Sequence, residues 1–496
     1  MRARTIGLTA ALILAGCSAM PEVDGGTGGG SATGGGSATG GGSATGGGSA
    51  TGGGSTTGGG SATGGGSATG GGGGTDAGRT DDVLSTAELQ LARTFSPLPA
   101  VPADPTNAFA DNANAAVLGQ RLYFDTSYSG ALAVGTDGGN GSLGDAGVRG
   151  LVSCASCHGS VMGADNRSIP NNVSLGTNFG PRNALGVVNS SFHPWTNWGG
   201  RFDTQWSLPL AVAENGNIMG STRLTVVHML FDKYRADYDA VFPAPLDADL
   251  DSSSPDAGRF PASGKPKAAM TDPDGPWELM TATDRAIVNR AYANYGKALA
   301  AYVRKLVSRN APFDRFVAGD AQAISTSAKR GFQVFTGKAH CSTCHVGPAF
   351  TDGAFHALGV LQAGPHIPAT DLGRFTDVAP LLSSAFNSAG TFSDAPDAGK
   401  LNGLAQDASM KGQFRTPTLR GLSGSAPYMH TGSLDTIEAV VDFYDQGGGT
   451  AVDGGALDVA LMPLGLTAGE KADLAAFLRT LDGDPVDAAL LVNTAR

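Results

Sequence analysis

The chain has no stripe of lysine or arginine. Its 496 residues carry 33 Lys and Arg against 44 Asp and Glu, a formal net charge of −11. That balance argues against a nucleic-acid ligand, because no basic face is arranged to neutralise phosphates. It suits a basic redox partner instead. Long apolar runs are missing as well: the N-terminal one is too short to span a bilayer as a stable helix. The strand signal is weak throughout, so a mainly α fold is expected. Cysteine is scarce, at 5. Glycine is abundant, with 76 copies gathered mostly in "SATGGG" repeats over 25–74. The folded part therefore begins near Asp76 and has roughly 420 residues, enough for two or three domains. With 41% hydrophobic residues it can bury a large core.

The first residues, "MRARTIGLTAALILAGC", place Arg2 and Arg4 before a short apolar run that ends at Cys17. This reads as an export signal. Its end resembles a bacterial lipoprotein box, in which the signal 1–16 is removed and Cys17 is lipidated. Ser18 after that cysteine favours the outer membrane by the same resemblance. The segment 17–79 is then a flexible linker whose repeats reach on the order of 40 Å. An exported, periplasmic or cell-surface protein held by a lipid anchor is expected.

The other four cysteines form "CASCH" at 154–158 and "CSTCH" at 341–345, so none remains for a structural disulfide. C-x-x-C-H is the c-type haem attachment signal. On one helical turn Cys154 and Cys157, or Cys341 and Cys344, face the same way and can form thioethers. His158 and His345 then sit under the ring as iron ligands. A redox C-x-x-C, or four cysteines sharing one zinc, would explain the cysteines but not a histidine after each pair. Two covalent haems c are expected.

Similar stretches precede the two motifs: "LGQRLYFD" at 118–125 and "KRGFQVFTG" at 329–337. Both put an aromatic shortly after a glycine, which suggests an internal repeat. A long helix is expected over 281–308 and a loop insertion over 243–276. A terminal helix opens with the capping box Thr467…Glu470 and carries the stripe Leu474, Phe477, Leu478 and Leu481. A further helix is expected from Asp435 and Glu438 to the glycines 447–449, with Ile437, Val440, Val441 and Tyr444 on one face.

With "WGGRFDTQW" at 198–206 and "RTPTLRGLSGSAPYMHTGSLDTIEAVVDFYDQGG" at 415–448, the chain resembles the bacterial di-haem cytochrome c peroxidase and MauG family over about residues 85–483. The resemblance implies two cytochrome c-like haem domains in tandem, at 80–315 and 316–496. It implies that hydrogen peroxide reacts at the N-terminal haem while the C-terminal haem passes electrons from a small redox protein or a protein substrate. It allows a homodimer.

Carried over residue by residue, Trp198 matches the family's electron relay between the haems, though a large buried aromatic needs no such role. Asn183, Ser425 and the carbonyl of Pro427 match a calcium site, whose oxygen donors suit that hard cation. Tyr444 matches the far-side ligand of the C-terminal haem, where peroxidases usually carry methionine and MauG tyrosine; a core tyrosine is the alternative. Met429 is out of register. The family's proton-moving glutamate falls at Ile218, and its distal glutamine and proline at Leu208 and Val212. Glu214 is the nearest carboxylate and the expected substitute, unless it is simply solvated. His193 does not match the histidine that blocks this haem in many peroxidases. Two functions stay open: a peroxidase or MauG-like oxidase, and a non-catalytic di-haem electron-transfer or gas-binding lipoprotein.

Overall fold

The computed structural model describes residues 81–158 and 173–496. The signal 1–16, the lipidation at Cys17 and the linker to residue 79 lie outside the described residues. Among the described residues the fold is mainly helical. The helices are α1 (Thr86–Arg93), α2 (Ala113–Phe124), α3 (Cys154–Cys157), α4 (Ser207–Glu214), α5 (Arg223–Asp239), α6 (Pro276–Leu279), α7 (Ala282–Val303), α8 (Pro312–Val317), α9 (Thr326–Thr336), α10 (Arg374–Leu382), α11 (Ile437–Asp445) and α12 (Ala468–Arg479). One two-stranded antiparallel sheet pairs β1 (Phe355–Ala357) with β2 (Gln413–Arg415).

Side-chain caps explain where the helices start. The Asn112, Ser325 and Thr281 side chains accept from backbone N–H groups in the first turns of α2, α9 and α7. α12 has the expected box of Thr467 and Glu470, and its stripe Leu474, Phe477, Leu478 and Leu481 is buried. Two boundaries differ from expectation. The long helix stops at Val303, and α11 is capped by Thr436, whose side chain accepts from the Ala439 N–H. The insertion 243–276 holds only two 3₁₀ turns before α6.

The repeat is visible as packing. α2 crosses α7 so closely that a Cβ on Gly119 would lie 2.0 Å from the Ala298 carbonyl oxygen. α9 crosses α12 in the same way, and a Cβ on Gly331 would lie 1.9 Å from the Asp473 carbonyl oxygen. One turn beyond each crossing an aromatic pair closes the contact. Tyr123 meets Tyr302 with centroids 5.1 Å apart, and Phe335 meets Phe477 at 5.2 Å.

Each crossing organises one core. The first core is built on α2, α4, α5 and α7; the second on α8, α9, α11 and α12. The chain ends are exchanged between them. Leu89, Ala92 and Phe95, in and just after α1, belong to the second core. The C-terminal segment returns to the first, where Val486 is buried and the Tyr302 hydroxyl donates to the Leu490 carbonyl. The two halves meet at a seam. Arg182 donates to both oxygens of Asp371, at 2.6 and 2.8 Å, and to Asp377 at 2.8 Å. Burial pushes the Asp371 carboxyl up, but Arg182 more than reverses this and holds it below the usual range.

Gly119→Ala and Gly331→Ala should each destabilise the fold by about 1–3 kcal/mol, since the helices must part to admit a methyl group; denaturant titration measures it. The seam should be acid-sensitive. A carboxyl with a depressed folded pKa contributes stability that is complete above its unfolded pKa of about 3.9 and is lost as pH falls through the folded value. Melting temperatures followed from pH 7 downward should fall below about pH 4, and Arg182→Gln should flatten that slope.

Candidate functional site

The first motif occupies α3. The Ser153 N–H donates to Ser156 Oγ at 3.0 Å, and the His158 N–H donates to the Cys154 carbonyl at 3.1 Å. The Tyr123 hydroxyl donates to the His158 carbonyl. Tyr128 and Tyr295, with hydroxyls 2.9 Å apart, stand beside Cys154 in the same core. Burial pushes the Cys154 thiol up to about 11.

The second motif is a 3₁₀ turn over Cys341–Thr343, entered through a left-handed His340. Its histidine is aimed by a strained neighbour. Phe350 has φ +50°, uncommon for a bulky residue, and this turns its carbonyl to within 2.9 Å of His345 Nδ1. A cage of Phe95, Phe313, Phe335 and Phe477 surrounds the Phe350 ring and holds the conformation. Nδ1 carries the proton there, and Nε2 is left as the ligating nitrogen. Burial pushes His345 down, which keeps the imidazole neutral, the form that binds metal.

Tyr444 lies one turn after the buried Val441 on α11. Its hydroxyl is raised by burial first and then by the neighbouring Cys341 and Cys344. Tyr444 thus lies near enough to the second motif to feel its two cysteines.

Trp198 stands on the seam. Its indole Nε1–H donates to the Asn183 carbonyl at 2.7 Å, and its own carbonyl accepts from the Arg415 N–H at 2.7 Å. Its ring is edge-on to His430, at 6.2 Å between centroids. His430 is itself stacked on Phe414 at 3.7 Å and is pushed down to about 4 by burial. Of the calcium candidates, Asn183 and Pro427 are together: Asn183 Nδ2 donates to the Pro427 carbonyl at 2.8 Å, while the buried Asn183 Oδ1 has no partner. The Ser425 hydroxyl donates to the Leu422 carbonyl at 2.8 Å.

The distal positions of the first half are apolar. Val212 and Ile218 pack against the core that holds Cys154. The loop 176–180 lies directly on Ile218, whose carbonyl accepts from the Thr177 N–H at 2.8 Å. Glu214 has another task than the one expected. Its two oxygens accept from Arg223 at 2.8 and 2.9 Å, and the Arg223 guanidinium is stacked over Trp277 at 4.9 Å. A carboxylate so engaged is badly placed to carry protons. His193 is pushed well down by burial and by the charge of Arg415.

The residues fit a haem at each motif. All four cysteines are free, and the two pairs sit in different cores, so they do not gather around one zinc. Arg374 and Arg415 are buried, are pushed down to about 10 by that burial, and form no ion pair with a carboxylate among the described residues. A buried cation short of carboxylates, such as Arg415, suits an acidic side chain of a haem. Neither arginine was expected to be buried. Arg415 lies inside the quoted 415–448 block, but nothing local marks it as buried.

The description "Di-haem cytochrome c peroxidase" belongs to the family model that matches residues 113–322. A cytochrome-c peroxidase, IdrP2, of Denitromonas iodatirespirans is 33% identical over 388 residues, covering 77% of this chain and 84% of that relative. The methylamine utilization protein MauG of Methylorubrum extorquens is 39% identical over 188 residues, 38% of this chain and 44% of that relative. Among solved structures, a MauG-like protein associated with microbial copper homeostasis matches with TM-score 0.53 and 23% identity, covering 81% of this chain and 97% of that one. The diheme peroxidase BthA of Burkholderia thailandensis matches with TM-score 0.51 and 19% identity, covering 78% and 91%. At such identities the structural matches speak for the fold.

Glu214→Gln should cost about 1–3 kcal/mol of stability through the weakened Arg223 pair. Its rate with hydrogen peroxide should stay within about twofold of wild type, whereas losing a general acid–base would cost about 10²-fold or more. Thermal melts and stopped-flow absorption measure the two effects.

Proposed function

The chain belongs to the di-haem cytochrome c peroxidase family, and from that membership we propose a peroxide-reducing enzyme in which the two haem units have unequal tasks. The observation that carries the proposal is the inequality of the two motifs. At the second, Phe350 orients His345, and Tyr444 lies near the two cysteines. At the first, the residues at the expected distal positions, Leu208, Val212 and Ile218, are apolar and offer no ligand. When bound, the haems would supply iron that changes oxidation state, His158 and His345 being the residues that would hold it and Tyr444 a further candidate at the second motif.

The protein's own residues divide the remaining work. Phe350 holds the proton on His345 Nδ1. Tyr444 offers a hard oxygen, which favours oxidised iron over the reduced form that a thioether would favour. Trp198 bridges the halves and relays electrons, its indole N–H anchored on Asn183. The free oxygen of Asn183 and the Pro427 carbonyl are the core of a calcium site at that bridge. Electrons come from a small redox protein or a protein substrate. The export signal and the lipidated Cys17 read from the sequence would hold the protein outside the cytoplasm at a membrane.

A second reading has its own support. With Ile218 in the acid–base position and Glu214 held by Arg223, no described side chain on the distal side is placed to move a proton between the peroxide oxygens. That would leave an electron-transfer or gas-binding protein.

The first experiment is an absorption and EPR titration of the diferric protein with stoichiometric hydrogen peroxide. A two-electron-oxidised protein that returns to its starting state on adding reductant is expected; no change, or slow bleaching alone, sinks the enzyme reading. Tyr444→Met should raise the potential of the second haem, on the order of 100 mV, and shorten the life of the oxidised protein.

A further inference from the structure

Two indoles lie three residues apart on the seam, in opposite electrostatic settings. Trp198 donates its N–H to a carbonyl and faces a neutral imidazole, His430. Among the described residues no cation is stacked over its ring. The Arg415 side chain donates its Nε–H to the Asn197 carbonyl at 3.4 Å.

Trp195 is enclosed by cations. The Arg374 guanidinium lies 4.4 Å from the Trp195 ring centroid and 4.2 Å from that of Phe355, sandwiched between them. It donates to the carbonyls of Gly199 and Gly200. The closest carboxylate acting on it, Asp377, is already paired with Arg182. Lys400 adds a second charge 4.8 Å from the ring. Its stem is exposed, but its ammonium turns inward onto the carbonyls of Pro194 and Asp203.

Removing an electron from an indole creates a positive charge on the ring. A fixed cation stacked on that ring opposes the loss, and burial strengthens the opposition. We propose that Arg374 and Lys400 determine the path of oxidation, holding Trp195 reduced and confining electron flow to Trp198. This rests on the relay reading of Trp198. Trp195 is half-buried at the seam and would otherwise offer oxidising equivalents an exit from the protein.

The test uses full-length holoprotein exposed to hydrogen peroxide without an electron donor. The indole loses two electrons and two protons and gains one oxygen atom from water. Peroxide accepts the two electrons and two protons and leaves as water, so the net change is one oxygen added to tryptophan and one water released. Fragment-ion mass spectrometry then counts oxygen on each indole. In the wild type Trp198 should carry the added oxygen and Trp195 little. Arg374→Met should raise oxygen on Trp195 at least about fivefold, Lys400→Met should raise it by less, and Arg374→Lys should restore the wild-type pattern. Lys400 is exposed, so its variant keeps the test available if Arg374→Met fails to fold. Equal labelling of the two indoles in the wild type overturns the proposal. So does unchanged Trp195 labelling in Lys400→Met and in whichever Arg374→Met protein folds. The relay reading fails separately, if Trp198→Phe leaves electron exchange between the two haems unchanged.

Discussion

Two close helix crossings hold this structure together. Where Gly119 meets Ala298 and Gly331 meets Asp473, the backbones approach to a distance that only glycine permits. The approach brings an aromatic pair into register one turn later, and these aromatics then frame the motifs. Tyr123 touches both Tyr302 and the His158 carbonyl. Phe335 and Phe477 belong to the cage that forces Phe350 into its left-handed conformation, and so decide which nitrogen His345 presents. A backbone contact one turn from that cage thus bears on the orientation of the His345 ring.

How much of this could be read beforehand depended on the range of the interaction. The C-x-x-C-H spacing, the capping box at Thr467 and the stripe through Leu481 are local patterns, and they reappear as α3, a 3₁₀ turn and α12. The glycine-aromatic repeat was visible in outline, although its function, a helix crossing, required both partners to be seen. Long-range pairings left no such trace. Arg182 finds Asp371 across the seam, and Glu214 finds Arg223 on the next helix. A carboxylate near a distal pocket and a carboxylate serving an arginine look the same in sequence. The cap of α11 was misread by one residue because Asp435, Thr436 and Glu438 all favour a helix start.

The seam also shows why the halves need not be alike. The same crossing supports a polar, tyrosine-lined surrounding at Cys154 and an all-phenylalanine cage behind His345. The scaffold requires only bulk and apolar faces at those positions. The surroundings of the two motifs can therefore differ without disturbing the crossings themselves.

The exchange of chain ends has a consequence for how the protein is made. The second core takes in Leu89 and Phe95 from the beginning of the folded chain and Leu474 to Leu481 from near its end. The first is closed by the segment around Val486 and Leu490, which comes later still. Neither core is complete until segments far apart in the chain have come together, so neither half can finish folding on residues from its own stretch of sequence alone.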